Sequence, residues 1–93
     1  MEFEWDAAKE ISNLKKHSVT FSEAVETFHD PNGFQIEDTK HSESEDRFYW
    51  VVKTSSGHVL TTRFTKRGAK IRIIGSAEWR KLRKFYDERT QSK

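Results

Sequence analysis

The chain has 93 residues, the length of one small domain with a single core, and it contains no cysteine, which excludes disulfide bonds, thiolate zinc sites and a cysteine nucleophile. Its net charge of +2 conceals an asymmetry: residues 1–50 hold twelve acids and five Lys or Arg, whereas residues 51–93 hold three acids and twelve Lys or Arg. No apolar run approaches the ~20 residues of a membrane span, and the first residues lack a signal-peptide pattern. We therefore expect a cytoplasmic protein without membrane contact.

The chain begins with an extended segment and a helix. Phe3-Glu4-Trp5 alternates apolar and polar residues, as a short strand or an extended entry does. Asp6 is a suitable N-cap for a helix over Ala7–Lys16. The apolar stripe of this helix, which we expect to cover the sheet, consists of Ala8, Ile11 and Leu14.

A second helix is predicted to start at Thr20, where Thr20 and Glu23 have the spacing of a capping box. Its helical period predicts an apolar face made of Phe21, Ala24, Val25 and Phe28. The segment Asp30-Pro31-Asn32-Gly33 is a strong turn signal and ends the helical region.

Strands and a last helix follow, with a polar, acidic loop over 40–46. Gly75 is predicted to break the last strand and Ser76 to cap a helix over Ala77–Arg89. The strands are predicted at 48–54, 59–65 and 70–74, with a weaker one at 34–38 and hairpin connections at 55–58 and 66–69. The sequence therefore predicts an α+β fold with two N-terminal helices, an antiparallel meander of three to four strands and a C-terminal helix. We expect residues 1–93 to form a single domain whose end, 89–93, is a frayed tail.

The most basic part of the chain runs from Arg63 to Lys84, with nine Lys or Arg against one acid, Glu78. Aromatic residues interleave with these cations, a pattern typical of binding to a phosphate backbone with unstacked bases. The alternative is a solvated helix face that the acidic half partly neutralises. The residues expected to bind RNA are Lys66, Lys70, Trp79, Lys81, Arg83 and Lys84.

Strand alternation predicts that Arg63 and Arg72 share the open face of the sheet, with Arg67 in the turn between them. RNA carries its own nucleophile, the 2′-OH, so cleavage needs a base, an acid and cations for the phosphorane, and no metal or cofactor. Histidine spacing typical of zinc is absent from the sequence. The candidate catalytic residues are Lys16, His17, Arg63, Arg67, Arg72, Arg80 and Tyr86.

Each of these residues has a structural alternative. His17 can be the C-terminal residue of its helix, interacting with the last carbonyls. Tyr86 can be a core residue of the last helix. Arg63 and Arg72 can pair with acids from the N-terminal half.

The residues together resemble a known family. The opening Phe3-Glu4-Trp5-Asp6 is followed by Lys9, Asn13, Lys16-His17 and Val19-x-Phe21. Further matches are His41-Ser42-x-x-Glu45-x-Arg47, Phe64-Thr65-x-Arg67 and Ile71-Arg72-Ile73-Ile74. Over residues 3–88 this pattern resembles the BrnT family of toxins.

The resemblance implies a toxin of a type II toxin–antitoxin module with a RelE-like ribonuclease fold. It implies metal-independent cleavage of mRNA, arrest of translation and neutralisation by a ribbon-helix-helix antitoxin, as a heterotetramer that meets operator DNA only through the antitoxin. After Ile74 the chain lacks the arginine that many members carry there, so Arg80 or Lys81 is expected to supply that charge. The alternatives are a module that binds nucleic acid without cutting it, or one that only binds the antitoxin.

Overall fold

A computed structural model describes residues 1–41, 45–54 and 57–91 of the chain. Three helices and five strands form an α+β fold, so the predicted class is confirmed. The strands are β1 (Glu2–Trp5), β2 (Phe34–Glu37), β3 (Arg47–Lys53), β4 (Val59–Arg67) and β5 (Lys70–Ala77). The helices are α1 (Ala7–His17), α2 (Phe21–Thr27) and α3 (Arg80–Gln91), and Thr39–His41 forms a single 3₁₀ turn.

The sheet has the order β1-β5-β4-β3-β2. Strands β2 to β5 form the predicted antiparallel meander. The extended segment predicted at Phe3-Glu4-Trp5 is strand β1, which pairs with β5 in parallel and so adds a strand to the sheet of three to four that was predicted. Parallel pairing requires a long connection between the strands. Alternation indicates the strand itself, but no local pattern indicates its pairing with residues 70–73.

The predicted end of the last strand at Gly75 was wrong. Strand β5 continues to Ala77 and accommodates an irregularity in its pairing with β4, because Arg63 lies opposite Gly75 while the next residue, Phe64, lies opposite Ile73. A bulge of this kind adds a residue without ending the strand. Ser76 is therefore a fully buried strand residue and caps no helix, and α3 begins at Arg80 instead of Ala77.

One face of the sheet packs against α2, whereas α1 lies along the edge formed by β5. The capping box of Thr20 and Glu23 is present, and the predicted apolar face of α2 points into the core. Each fully buried aromatic or aliphatic side chain contributes about 1.5–3 kcal/mol to folding. The buried residues of this cluster are Phe21, Phe64, Ile71 and Ile73, surrounded by Phe3, Trp5, Val25, Phe28, Phe48 and Trp50.

Helix α3 covers only part of the opposite face. It contributes Tyr86 to a second cluster with Val51 and Val59, and the Tyr86 ring stacks on Phe34 with centroids 5.6 Å apart. The remainder of this face carries Arg63 and Arg72, as strand alternation predicts, because Arg72 lies opposite Thr65, two residues along β4 from Arg63. No helix in the described ranges is long and apolar enough to cross a membrane.

The amphipathic pattern of α1 is oriented opposite to the prediction. Ile11 and Leu14 are 59% and 46% exposed, and the only buried side chain of the helix is Asn13. Asp6 is the N-cap as predicted, with its carboxylate accepting from the backbone of Ala8 and Lys9. The helix therefore contacts the sheet through polar groups and turns its apolar residues outward.

Candidate active site

A cleft of about 270 Å³ lies between α1 and the edge of the sheet. One wall is α1, and the other is formed by β4, β5 and the residue that precedes α3. The lining residues are Lys9, Ser12, Asn13, Lys16, His17, Arg63, Ile74, Gly75 and Trp79. The cleft thus brings together Lys16, His17, Arg63 and Trp79, which the sequence had separated by up to 63 positions.

Arg63 is the cation that the sheet contributes. Its guanidinium lies 5.5 Å from the ring centroid of Tyr49 and 5.9 Å from that of Trp79, and Nη2 donates to the Tyr49 hydroxyl at 3.3 Å. The buried carboxylate of Asp38 lies 3.7 Å from Arg63 Nε. Two aromatic rings and a carboxylate hold the guanidinium in place by cation–π and charge attraction. The side chain stays 28% exposed, so it can still meet an anion in the cleft.

Asn13 fixes α1 against the other wall. Strand β1 ends opposite Ile73, and beyond that point the Asn13 amide pairs with the edge of β5. Its Nδ2 donates to the Ser76 carbonyl at 2.9 Å, and its Oδ1 accepts from the Ser76 N–H at 3.0 Å. A third bond joins Nδ2 to the Val19 carbonyl at 3.1 Å. The Asn13 amide thus makes the two main-chain hydrogen bonds that a neighbouring strand would make with β5. These bonds fix the distance between α1 and Arg63.

His17 is the last residue of α1, and its ring meets Trp79 edge-on with centroids 5.9 Å apart. The helix ends through Ser18, whose left-handed backbone (φ 58°) directs its N–H to the Leu14 carbonyl at 2.9 Å. His17 and Lys16 are exposed. The terminal position that suggested a capping role for His17 also places its ring at the cleft.

The other hairpin arginines lie outside the cleft and pair with acids. Arg72 donates to Glu4 Oε2 at 2.7 Å, and Arg67 Nε lies 3.4 Å from Glu45 Oε2. The hydrogen bond from Arg72 is the largest cause that lowers the pKa of Glu4 below its ordinary value; burial opposes it, and the positive charges of Arg72, Lys70 and Arg67 lower the pKa further. The ion pairs anticipated for Arg63 and Arg72 are thus present.

Residues of α3 lie on the far side of Trp79. Arg80 and Arg83 line a second cavity of about 240 Å³ with Val59, Glu78 and Trp79. Arg83 also lies 3.8 Å from Asp87, and Lys84 is exposed. Tyr86 is 6% exposed, in the core described above and apart from the cleft.

The remaining basic residues are spread along the hairpin. Lys66 lies over the Phe48 ring at 4.9 Å, and Lys70 lies 4.0 Å from Glu4. The side chain of Lys81, and residues 42–44 of the acidic loop, are outside the described part of the structure. Within that part, no group of three or more His, Asp or Glu is placed to hold a metal ion.

Sequence reasoning missed Lys9, Ser12, Tyr49 and Asp38 as neighbours of the site. A signal for Lys9 existed, because Lys9, Asn13 and Lys16 follow the spacing of one helix face. Tyr49 lies directly opposite Arg63 on β3, which requires the strand register to be known. Asp38 reaches Arg63 from the segment after β2, and no local pattern indicates that contact.

A cleft of two lysines, a histidine and an arginine beside an indole is suited to hold a phosphodiester and an adjacent base. The fold and the cleft define a small α+β protein with a cationic cleft. The chain belongs to the family of ribonuclease toxins, BrnT, of type II toxin–antitoxin systems, whose model matches residues 5–82. Family membership confirms the resemblance and implies an RNA substrate and an antitoxin partner. Among curated proteins, none matches the chain.

Proposed function

We propose that this chain is a metal-independent endoribonuclease with a RelE-like fold that cleaves mRNA and thereby arrests translation. The observation that supports the proposal is that one cleft contains Lys16 and His17 from α1, Arg63 from the sheet, and Trp79 from the segment before α3. These are the groups that an RNA cleavage reaction driven by the 2′-OH requires.

In the proposed reaction the 2′-oxygen attacks the adjacent phosphorus, and the bond from phosphorus to the 5′-oxygen breaks. His17 or Lys16 takes the proton of the 2′-OH, and the other returns a proton to the 5′-oxygen. The products are a 2′,3′-cyclic phosphate and a 5′-hydroxyl. Arg63 stabilises the extra negative charge of the phosphorane, and its contacts with Tyr49 and Trp79 position it before the substrate arrives.

The other predicted cations take a binding role in this proposal. Arg67 and Arg72 lie along the same hairpin as Arg63, and Arg80 lies beyond Trp79, so they can contact phosphates on either side of the scissile one. Trp79 orients the base next to the cleft. Tyr86 has no chemical role in the proposal, because its side chain is packed in the core.

The partner and its setting are part of the same proposal. We propose a ribbon-helix-helix antitoxin that forms a heterotetramer with the toxin and connects it to operator DNA. We also propose that residues 1–93 function as a single domain in the cytoplasm. The printed family description supports the antitoxin itself, since the family is defined by type II toxin–antitoxin systems.

The test is incubation of purified protein with end-labelled RNA in EDTA. We expect fragments with 2′,3′-cyclic phosphate ends from the wild type, and a loss of roughly 100-fold or more in kcat for Arg63→Ala. Arg89→Ala is the matched control, because it removes an arginine that lies over Phe34, away from the cleft. Arg63→Lys tests whether charge alone is sufficient.

Two results would contradict the proposal. Cleavage that disappears in EDTA and returns with a divalent cation would refute metal independence. Intact RNA with salt-sensitive binding, also in the presence of ribosomes, would favour the module that binds without cutting.

A further inference from the structure

The second cavity, on the far side of Trp79, shares that residue with the cleft. Its volume of about 240 Å³ is close to the 270 Å³ of the cleft, and Trp79 lines both. The other lining residues are Val59 at the start of β4, Glu78, and Arg80 and Arg83 on α3. An RNA strand that lies in the cleft can therefore continue past Trp79 into the second cavity.

Two arginines give the second cavity its positive charge. Arg80 is the first residue of α3, Arg83 lies one turn further along the helix, and both are exposed. Arg83 lies 3.8 Å from Asp87, but an exposed ion pair of this kind contributes little. Both guanidinium groups are therefore available to a phosphate, whose oxygens their planar donors fit.

Trp79 offers part of its indole to a base. The rings of His17 and Tyr49 each meet the indole at 70°, so neither lies parallel to it. Arg63, which lines the cleft, lies 5.9 Å from the indole centroid. The part of the indole that lines the second cavity can contact a nucleobase, as aromatic side chains do in sites for single strands.

Glu78 places a carboxylate among these cations. Its Oε1 lies 2.6 Å from His58 Nδ1, and the histidine nitrogen is the donor because a carboxylate only accepts. This bond holds the carboxylate and leaves lone pairs on both oxygens for another donor. Since a carboxylate repels phosphate, Glu78 is suited to meet a different part of a nucleotide, the N–H groups of its base.

We propose that the second cavity is a subsite for a guanine nucleotide of the RNA strand and that Glu78 selects the base. Guanine presents two adjacent donors, N1–H and the N2 amino group, on its Watson–Crick edge, and a carboxylate can accept from both. Adenine, cytosine and uracil each place an acceptor next to a donor on that edge, so one carboxylate oxygen would face a lone pair. Arg80 and Arg83 bind the phosphates of the same nucleotide.

The same groups disfavour an acidic peptide as the occupant, because Glu78 repels the carboxylates that Arg80 and Arg83 would attract. A free guanine nucleotide has the same base and phosphate chemistry as the RNA, and the experiment distinguishes the two. This inference rests on the proposed function in that the cleft next to the subsite holds RNA.

The experiment measures binding of short fluorescent oligomers to the purified wild-type protein by anisotropy. The oligomers consist of 2′-fluorouridine, which has no attacking hydroxyl, with one guanine, adenine, cytosine or hypoxanthine at a position that is moved along the chain. We expect guanine at one position to bind roughly tenfold more tightly than adenine, cytosine or uracil. Hypoxanthine, which lacks the N2 amino group, should have intermediate affinity, and this comparison needs no protein variant.

Glu78→Gln should abolish the guanine preference, because an amide presents one acceptor and one donor to the base. The matched control is Glu88→Gln, which makes the same charge change at an exposed position of α3 outside the second cavity and should keep the preference. Arg80→Gln/Arg83→Gln should weaken all oligomers alike. These side chains are exposed, so the melting temperatures of the variants should remain close to that of the wild type.

Equal wild-type affinity for the four bases, or a guanine preference that Glu78→Gln retains, would overturn the subsite. Displacement of the oligomer by guanosine monophosphate at equal concentration would also overturn it, since the free nucleotide would then be the ligand. Because these oligomers cannot be cleaved, a preference that depends on Glu78 can stand while the EDTA assay refutes the endoribonuclease. Cleavage in EDTA without any base preference would overturn the subsite alone.

Discussion

Single residues at the cleft are held by contacts that come from distant parts of the chain. Arg63 depends on Tyr49, Trp79 and Asp38, which lie on three different segments. Precise placement matters because displacement of a catalytic group by about 1 Å can cost on the order of 100-fold in rate. In the proposed mechanism, the residues that position Arg63 and α1 are therefore expected to matter as much for activity as the cations themselves.

Among single residues, Asn13 gives the most specific prediction. Asn13→Ala leaves the Ser76 N–H and C=O without their partner, so we expect a loss of about 2 kcal/mol in the free energy of unfolding. We also expect a roughly 10–100-fold lower kcat, because α1 is no longer held at a fixed distance from Arg63. Denaturant unfolding and single-turnover cleavage measure the two effects.

The control for Asn13 is Ser76→Ala, which removes the hydroxyl bonded to Thr62 at 2.9 Å but keeps the main-chain groups that Asn13 binds. It should lower stability and leave kcat unchanged. A positioning role also predicts that Asn13→Ala has little further effect on kcat once His17 is alanine. Fully additive losses in the double variant would show that Asn13 is only structural.

Residue-scale prediction from the sequence succeeded where a short-range rule sufficed. Alternation along β4 and β5 placed Arg63 and Arg72 on one face, and the predicted end of the first helix placed His17 at its C-terminus. It failed for Tyr49 and Asp38, since their contacts with Arg63 follow from strand register and from the path of the chain after β2.

At the level of elements, helix existence was predictable and helix orientation was not. The caps of α1 and α2 are local, and both are present where the sequence predicts them. The stripe containing Ile11 and Leu14 has helical spacing, but spacing cannot tell whether an apolar side faces the protein itself or another molecule. The continuation of β5 through Gly75 depends on a bulge that forms only against β4.

Strand β1 supplies a pH-dependent attachment to the sheet. Arg72 donates to Glu4 across the β1–β5 pair and lowers the Glu4 pKa from its ordinary 4.5, so the carboxylate is favoured in the folded state. A lowered pKa contributes stability that is present above the ordinary value and is lost as pH falls through the folded pKa. We expect the melting temperature of Glu4→Gln to fall less steeply between about pH 5 and pH 2 than that of the wild type.

Glu37→Gln is the control for this measurement, because Glu37 is an exposed carboxylate on β2 at the opposite edge of the sheet. It should keep the wild-type dependence on pH. Parallel curves for the wild type and Glu4→Gln would contradict the linkage between this pair and acid stability.

For the whole molecule, the two oppositely charged halves of the sequence meet in the fold. Arg63, Arg67 and Arg72 from the basic half pair with Asp38, Glu45 and Glu4 from the acidic half. Composition indicated a basic stretch and the alternative that the acidic half partly neutralises it, and these ion pairs show that such neutralisation occurs. The number of cations available to RNA is therefore smaller than the sequence suggests.

The number of cations that contact RNA can be measured from the salt dependence of RNA binding. If only Lys9, Lys16 and Arg63 in the cleft contact RNA, binding should weaken with a slope of about −2 in log K against log salt, since each phosphate contact to a single strand contributes about −0.7. Additional contacts from Arg67, Arg72 and Arg80, as proposed above, would give a slope of about −4. Nine engaged cations would give about −6. Fluorescence anisotropy of labelled RNA with the His17→Ala variant measures the slope without cleavage. A slope near −6 would mean that RNA displaces the internal acids.

The pairing of β1 with β5 also determines when during synthesis the protein can become harmful. Glu4 and Arg72 are 68 residues apart, and the cleft joins α1 to Trp79, so neither the ion pair nor the cleft exists until Arg72 and Trp79 have been synthesised. Contacts between such distant segments form late, because a long loop must close before they contribute. A nascent chain that has α1 but lacks β5 and Trp79 therefore has no cleft. The topology delays assembly of the cleft until both of its walls have been synthesised.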